Sequence, residues 1–204
     1  MRNYSQNQEQ QVILDYFGNK VGKLLSIGEN DGETLSNSRA LILNGWAADL
    51  VEPMPIPLEK LRKLYEGNAE INIIDSAIAD HTGISVMFSS GNHLGKGDTD
   101  LVSTLSLEDK KKWESTTTWN EITVNTLKWD DFIKQRSYPH YDFISIDAEG
   151  YDLKILEQMD LLDLGCSMVC IEHNGTILNE ITKICTKFGM KQMLLNAENV
   201  IFAI

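Results

Sequence analysis

The sequence predicts an α/β fold, a doubly wound, mostly parallel seven-stranded sheet that ends in a C-terminal antiparallel hairpin. Three observations predict it. Short apolar runs of strand length alternate with stretches of helical apolar spacing. Four of those runs stop abruptly at glycine or acidic residues, as strands do where an open sheet meets a ligand cleft. The last two runs, 191–195 and 200–204, flank Asn196-Ala197-Glu198-Asn199 and read as a hairpin.

The elements follow in order. Residues 10–17 carry Val12, Ile13, Tyr16 and Phe17 at helical spacing and end at Gly18, so residues 1–20 are expected to be an N-terminal helical segment. Residues 23–27 form a strand, Gly28 to Gly32 a turn, and a helix is expected from there to about Asn44. Residues 46–51 form the second strand, closed by Glu52-Pro53. Pro53, Pro55 and Pro57 make a turn that can start a helix over 58–65, since proline is tolerated in a first turn. Residues 71–74 are a third strand and 84–88 a peripheral or antiparallel one. Residues 90–120, rich in Gly, Ser and Thr, lack periodicity and are expected to be a variable insertion facing the substrate. Alternation resumes with a strand at 122–124, a helix at 129–135, a strand at 141–146, a helix at 153–159 and a strand at 168–171. A helix carrying Ile177, Ile181, Ile184 and Phe188 precedes the hairpin. The 204 residues are expected to be one domain.

Composition excludes several functions. The net charge is −12, and the one cationic run, Lys110-Lys111-Lys112, sits between acidic residues and reads as a solvated turn. Binding to nucleic acid or to an anionic membrane is therefore not expected. Cys166, Cys170 and Cys185 lie in apolar segments, where buried free thiols in a reducing compartment are expected. No signal-like or membrane-spanning run appears, so the expected location is the cytoplasm. Oligomeric state is left open.

The chemistry is expected at the four strand ends. The loop Gly28-Glu29-Asn30-Asp31-Gly32 has Gly-x-x-x-Gly spacing, unlike the glycine pattern that brings backbone against a pyrophosphate. With Glu33 it holds three carboxylates, which would repel a pyrophosphate but suit the sulfonium and ammonium of S-adenosylmethionine (SAM). The same carboxylates would also suit a plain helix N-terminus. Glu52 is placed to accept both ribose hydroxyls. Either Asp147 or Glu149 is a candidate base for a substrate hydroxyl, Asp147 alternatively orients the SAM amine, and Glu149 alternatively caps the following helix. His173 is a third candidate base, while His81 and His93 are expected to have no catalytic part. Asp147, Glu172 and Asn174 form an oxygen set of the kind that holds Mg2+, although a reaction without metal is the expectation. Gly91-Asn92-His93-Leu94-Gly95-Lys96-Gly97 lacks the spacing of a phosphate loop and the hydroxyl residue after its lysine.

These residues resemble the FkbM-like family of SAM-dependent methyltransferases. Residues 27–32 look like its glycine loop, and Val51-Glu52-Pro53-Met54-Pro55 is similar to its ribose-binding turn. Residues 75–83 resemble its segment beside the adenine. Asp142 to Leu156, containing Ile146-Asp147-Ala148-Glu149-Gly150, is close to its Ile-Asp-Val-Glu-Gly motif, and Ser103-Thr104-Leu105 matches a weaker feature. The likeness covers roughly residues 20–175. It implies the Rossmann-like class I methyltransferase fold and O-methylation of a hydroxyl on a sugar or other small metabolite. It also implies a SAM site at Ser26, Gly28, Glu29, Asn30, Gly32, Thr34, Glu52, Pro53, Ser76, Ala77 and Asp147. Ser26 departs from the family's usual acidic residue there, and Glu29 is a substitute for it. The alternatives are a non-catalytic SAM- or partner-binding module and, further off, a nucleotide-cofactor oxidoreductase.

Overall fold

Residues 2–93, 99–137 and 139–204 are described in the computed structural model. In chain order the elements are α1 (Glu9–Phe17), β1 (Lys23–Ile27), α2 (Arg39–Leu43), β2 (Ala47–Val51), α3 (Pro55–Leu64), β3 (Ile71–Ile74), β4 (Ala77–Ala79) and β5 (Gly83–His93). Then come α4 (Leu107–Lys112), β6 (Thr117–Lys128), α5 (Trp129–Gln135), β7 (Phe143–Ile146), α6 (Asp152–Leu156), β8 (Met168–Glu172), α7 (Leu178–Lys187), β9 (Lys191–Leu195) and β10 (Asn199–Ala203).

The main sheet has seven strands in the order β3-β2-β1-β7-β8-β10-β9. The first five are mutually parallel, and β10 runs antiparallel to both β8 and β9. Strand order reverses between β1 and β7, where the chain leaves β1 toward β2 and returns on the other side. That switch point is where a doubly wound sheet opens a crevice for ligand. The expected fold class is met, including the closing hairpin.

Each face of the sheet is covered by helices. Leu25, Ile144 and Val169 pack with Phe132, Ile155 and Ile181 of α5, α6 and α7. Leu24, Phe143 and Met168 pack with Ile13, Leu41 and the α3 residue Leu61 on the other face. Side chains two apart share a face, so the second face changes character along the strands. The apolar row Leu24–Phe143–Met168 is followed by the small polar row Ser26–Ser145–Cys170, residues paired across β1, β7 and β8. The next row, one residue past the last paired positions of β1 and β7, is Gly28, Asp147 and Glu172. The carboxylates thus appear where the core stops.

Two local expectations are corrected. The helix expected directly after Gly32 shrinks to α2. Asp31 Oδ1 accepts from the backbone N–H of Glu33 and Thr34 (3.0 and 2.7 Å), and Ser36 Oγ accepts from those of Ser38 and Arg39 (3.3 and 3.0 Å). Those side chains compete with helical hydrogen bonding, and positive φ at Leu35 breaks the helix outright. The insertion at 90–120 is also less irregular than its sequence suggests. β5 extends into it to His93, β6 starts at Thr117, and α4 lies between. β4, β6 and β5 form a second, three-stranded sheet in which β5 and β6 pair antiparallel along most of their length. Cross-strand pairing supplies order there that the Ser/Thr/Asn-rich sequence does not advertise. Gly95, Lys96 and Gly97 of the discounted phosphate-like loop lie outside the described residues.

Candidate active site

The carboxyl ends of β1, β2, β7 and β8 open into a cavity of about 540 Å3, within the range of small-molecule sites. The loop after β1 forms its floor. Gly28 has φ of 79°, and a Cβ there would lie 1.7 Å from the Asp147 carbonyl oxygen, so only glycine lets this loop cross the end of β7. The N–H groups of Gly28 and Glu29 both bond the Val51 carbonyl (3.0 and 3.1 Å), fastening the loop to β2.

Glu52 is almost fully buried. Its Oε2 accepts the Asn30 N–H at 2.8 Å and its Oε1 the Met54 N–H at 2.7 Å, which fixes the carboxylate and leaves lone pairs facing the cavity. Burial raises its pKa to about 7 against those two bonds, with nearby Asp100 and Glu29 adding to the rise. Glu29, also buried, takes the hydroxyls of Ser36 and Ser38 on one oxygen (2.7 Å each). Burial nevertheless raises its pKa, opposed by the hydroxyls of Ser26, Ser38 and Ser36. Ser26 and Glu29 therefore share the place where the family resemblance expects an acid.

After β7, the backbone turns sharply at Glu149 (φ 46°) and Gly150 (φ 93°). This turn answers the geometric difficulty that Asp147 and Glu149 would diverge on an extended chain, and both line the cavity. The carboxylate that holds the turn belongs to Asp152, which accepts from the N–H groups of Ala148 (2.7 Å) and Gly150 (3.0 Å). Glu149 therefore has no capping duty. Its carbonyl is gripped instead by the Thr104 hydroxyl of the insertion at 2.6 Å. Burial raises the pKa of Asp147 to about 7, with Asp152, Glu29 and Glu9 contributing. Glu149 is raised well above its usual range by burial and by Asp147 and Asp152, while Lys112 opposes. Glu172 is raised by burial and by the same group of acids.

Of the metal set expected from sequence, Asp147 and Glu172 come together, and Asp152 takes the third place. Carboxylate oxygens of these three lie within 4.8 Å of one another. Asn174 instead donates its amide to Glu172 Oε2 at 2.7 Å. Asp152, however, is fully buried, is not among the residues lining the cavity, and spends one acceptor site of each oxygen on the backbone turn.

Nine of the eleven expected cofactor residues line the cavity, namely Ser26, Gly28, Glu29, Asn30, Thr34, Glu52, Pro53, Ala77 and Asp147. Gly32 and Ser76 do not. A Cβ on Gly32 would press on Leu61 (2.7 Å) and Leu64 (2.9 Å), so that glycine serves contact with α3. The Ser76 hydroxyl turns back to the Asp75 carbonyl at 2.6 Å. His173 is also outside the lining. Its Nδ1 accepts the Gly175 N–H and its Nε2 donates to the Asn196 carbonyl, 3.0 Å each, which leaves neither nitrogen to take a substrate proton.

Other lining residues were not expected at the cavity. His93, given no catalytic part above, is on the wall, bonded to Thr117 Oγ1 at 2.8 Å and set edge-on to Trp113. Lys112, read as part of a solvated turn, ends α4 at the cavity. Asn37 is there as well. Their sequence contexts, a charge run and a Ser/Asn-rich stretch, carry no signal for such a position.

A doubly wound sheet with an acidic cavity at its switch point is the arrangement of an α/β protein built to bind a small ligand. The FkbM methyltransferase domain matches residues 26–196, and the chain belongs to that family, which implies SAM as methyl donor. No curated protein matches the sequence. Among solved structures, the FkbM methyltransferase of Methylobacillus flagellatus KT is similar over 91% of this chain and 44% of its own, with 13% identity and a TM-score of 0.55. The METTL16 methyltransferase domain matches over 97% of this chain and 66% of its own (13%, 0.53). The ribosomal protein L11 methylase of Lactobacillus delbrueckii subsp. bulgaricus matches over 100% and 80% (11%, 0.51). At such identities these likenesses show the fold alone, and the chain spans less than half of the FkbM structure. No helix among the described residues is long and apolar enough to cross a membrane.

Proposed function

We propose that this chain is a SAM-dependent O-methyltransferase acting on a hydroxyl of a sugar or another small metabolite, in the cytoplasm and as one domain. One observation carries the reading. Glu29, Glu52, Asp147, Glu149 and Glu172 line a single cavity in which Lys112 is the one lysine or arginine among the described lining residues. A cationic cofactor relieves that repulsion, whereas a pyrophosphate would worsen it.

The residues present fit SAM, because the floor loop lets backbone approach closely and the Glu52 carboxylate is held by two N–H groups with capacity left for ribose hydroxyls. SAM supplies an electrophilic methyl carbon on a sulfonium. Glu52 would hold the ribose, Pro53 and Ala77 would lie on the adenine side, and Ser26, Glu29 and Asp147 would receive the amino-acid arm. Glu149 takes the acceptor's hydroxyl proton, a task suited to a carboxylate that burial and the neighbouring Asp147 and Asp152 make more basic than usual. Met87 of β5, with Leu105 and Trp113 of the insertion, lines the cavity and excludes water from the acceptor. Rate enhancement then comes mainly from positioning.

Titration calorimetry with SAM, and with NADH as control, tests the cofactor. Saturable SAM binding is expected, and NADH binding in its place would reverse the reading. Release of S-adenosylhomocysteine is then followed over sugars, polyols and phenolics, with Mg2+ or EDTA. SAM binding without turnover on any acceptor would leave a binding module in place of an enzyme.

A further inference from the structure

The insertion brings the one lysine or arginine of the described lining residues to the cavity and fastens it there. The Thr104 hydroxyl bonds the Glu149 carbonyl at 2.6 Å, and a Cβ on Gly150 would collide with the Asp109 carboxylate of α4. Ser106 caps α4 by accepting the Asp109 N–H at 3.2 Å. α4 therefore rests on the turn after β7, and its last residue, Lys112, lines the cavity beside Trp113. Lys112 is exposed, so a ligand can reach its ammonium. Its Nζ lies 5.2 Å from the centre of the Trp113 ring, a weak hold, and among the described residues it makes no ion pair. Lys23, by contrast, meets the buried Asp49 at 2.9 Å. A lysine whose task was to neutralise the cavity's acids would be paired in the same way. Burial and the acids Asp147 and Asp152 raise the Glu149 pKa and Lys112 opposes them, so its charge is felt at the carboxylate assigned as base.

We propose that the cavity selects a methyl acceptor bearing an anionic group, a carboxylate or a phosphate, which the Lys112 ammonium binds while the acceptor's hydroxyl meets Glu149. Charge-assisted hydrogen bonds from an ammonium serve either group. A hydroxyl on the same molecule is thereby brought to the base, so Lys112 sets both the class of acceptor and its orientation. The sulfonium and ammonium of SAM outweigh its one carboxylate, which lets an anion enter a cavity that repels it when empty. The acceptor is then a sugar acid, a sugar phosphate or a comparable hydroxylated anion. The inference rests on the methyl-donor reading and narrows its acceptor. The SAM carboxylate is the competing occupant, but Ser26 and Glu29, the residues given to the amino-acid arm, lie on β1 and its loop, whereas Lys112 lies on the insertion.

Calorimetry on the full chain at low ionic strength tests the assignment. Wild type, Lys112→Gln and Lys112→Arg are first titrated with SAM and with decarboxylated SAM. Each is then saturated with sinefungin, an unreactive analogue with an amine in place of the sulfonium, and titrated with glucuronate, glucose 6-phosphate and glucose. Wild type is expected to bind at least one of the two anions about tenfold or more tightly than glucose. Lys112→Gln should lose that preference while holding SAM within about twofold, and Lys112→Arg should keep it. A wild type without the preference, or one that binds none of the three sugars, overturns the inference while SAM binding leaves the cofactor reading intact. A preference undiminished in Lys112→Gln overturns it as well. So does a Lys112→Gln variant that loses affinity for SAM but not for decarboxylated SAM, since the lysine then serves the cofactor. Equal loss of both marks the lysine as structural and also overturns it. Wild type that binds no adenosine ligand refutes both readings.

Discussion

Asp49 and Glu52 lie three residues apart on and just beyond β2, both buried, and their surroundings differ completely. Asp49 meets the Arg136 guanidinium through two bonds (3.2 and 2.9 Å), Lys23 Nζ at 2.9 Å, the Asn72 amide at 2.9 Å and the Tyr141 hydroxyl. Burial is the largest influence on its pKa and acts upward, yet Tyr141, Arg136 and Lys23 outweigh it and the value falls below the usual carboxylate range. Glu52 and its neighbours at the strand ends receive N–H groups and hydroxyls but almost no positive charge, and their pKa values rise. The first arrangement is compensated within the fold. The second has almost no counter-charge within the fold, and its carboxylates hold their protons to higher pH. A carboxylate kept buried without its counter-charge is the mark of a binding site, because a purely structural role would favour the arrangement around Asp49.

This contrast yields predictions that sharpen or break it. The largest effect is expected at Asp49. Asp49→Ala leaves Lys23 and Arg136 partly buried without a partner and should cost about 3 kcal/mol, lowering the melting temperature by about 10 °C. A loss below 1 kcal/mol would mean that the cluster is not compensating anything. Glu149→Gln should instead reduce kcat about 100-fold while leaving the melting temperature equal or higher, since a repelled charge is removed. Activity and stability falling together would place Glu149 on the structural side.

The two regions also predict opposite pH limbs. Glu52 and Asp147, with folded pKa values near 7, keep protons that the unfolded chain releases from about pH 4 upward. Their contribution is complete below the unfolded values and is lost as pH rises through about 7. Asp49 has a depressed pKa, so its contribution is present above the unfolded value and lost as pH falls below about 4. Ligand-free protein should therefore be most stable at mildly acidic pH and lose stability as pH rises through about 7. The double variant Glu52→Gln/Asp147→Asn should flatten the alkaline limb alone in thermal melts at several pH values. If wild type shows no such limb, the strand-end carboxylates are not held near-neutral.

Smaller effects follow. Glu52→Ala should weaken SAM about tenfold in calorimetry, and unchanged affinity would remove Glu52 from the ribose. His173→Gln should cost about 1 kcal/mol of stability through its two hydrogen bonds and leave kcat within about twofold. A hundredfold fall in kcat would return the base to His173.

The sheet and most of the cavity lining could be read from the chain, whereas the assignment of roles within the cavity could not. Strand ends marked by Gly28, Glu52, Asp147 and Glu172 are local features, since each follows directly on a short apolar run. His173 has the same marking, and only the positions of the Asn196 carbonyl and the Gly175 N–H reveal that its ring is fully engaged. Gly32 looks like Gly28 in sequence, yet one packs on α3 and the other crosses β7. Lys112, His93 and Asn37 were missed because their place in the cavity depends on how the insertion and the loop before α2 fold back over the sheet.

Hydrophobic periodicity, punctuated by glycine and proline, was sufficient to specify the α/β order, the closing hairpin and the strand ends that bear the chemistry. Those are short-range consequences of which residues tolerate a strand, a helix or a sharp turn. The tertiary structure decided which carboxylates are paired with cations and which are left without one. That outcome depends on charges and N–H groups brought together from distant parts of the chain, such as Arg136 beside Asp49 and Thr104 beside Glu149. Electrostatic compensation acts through space over a few ångströms, and separation along the chain carries no record of it.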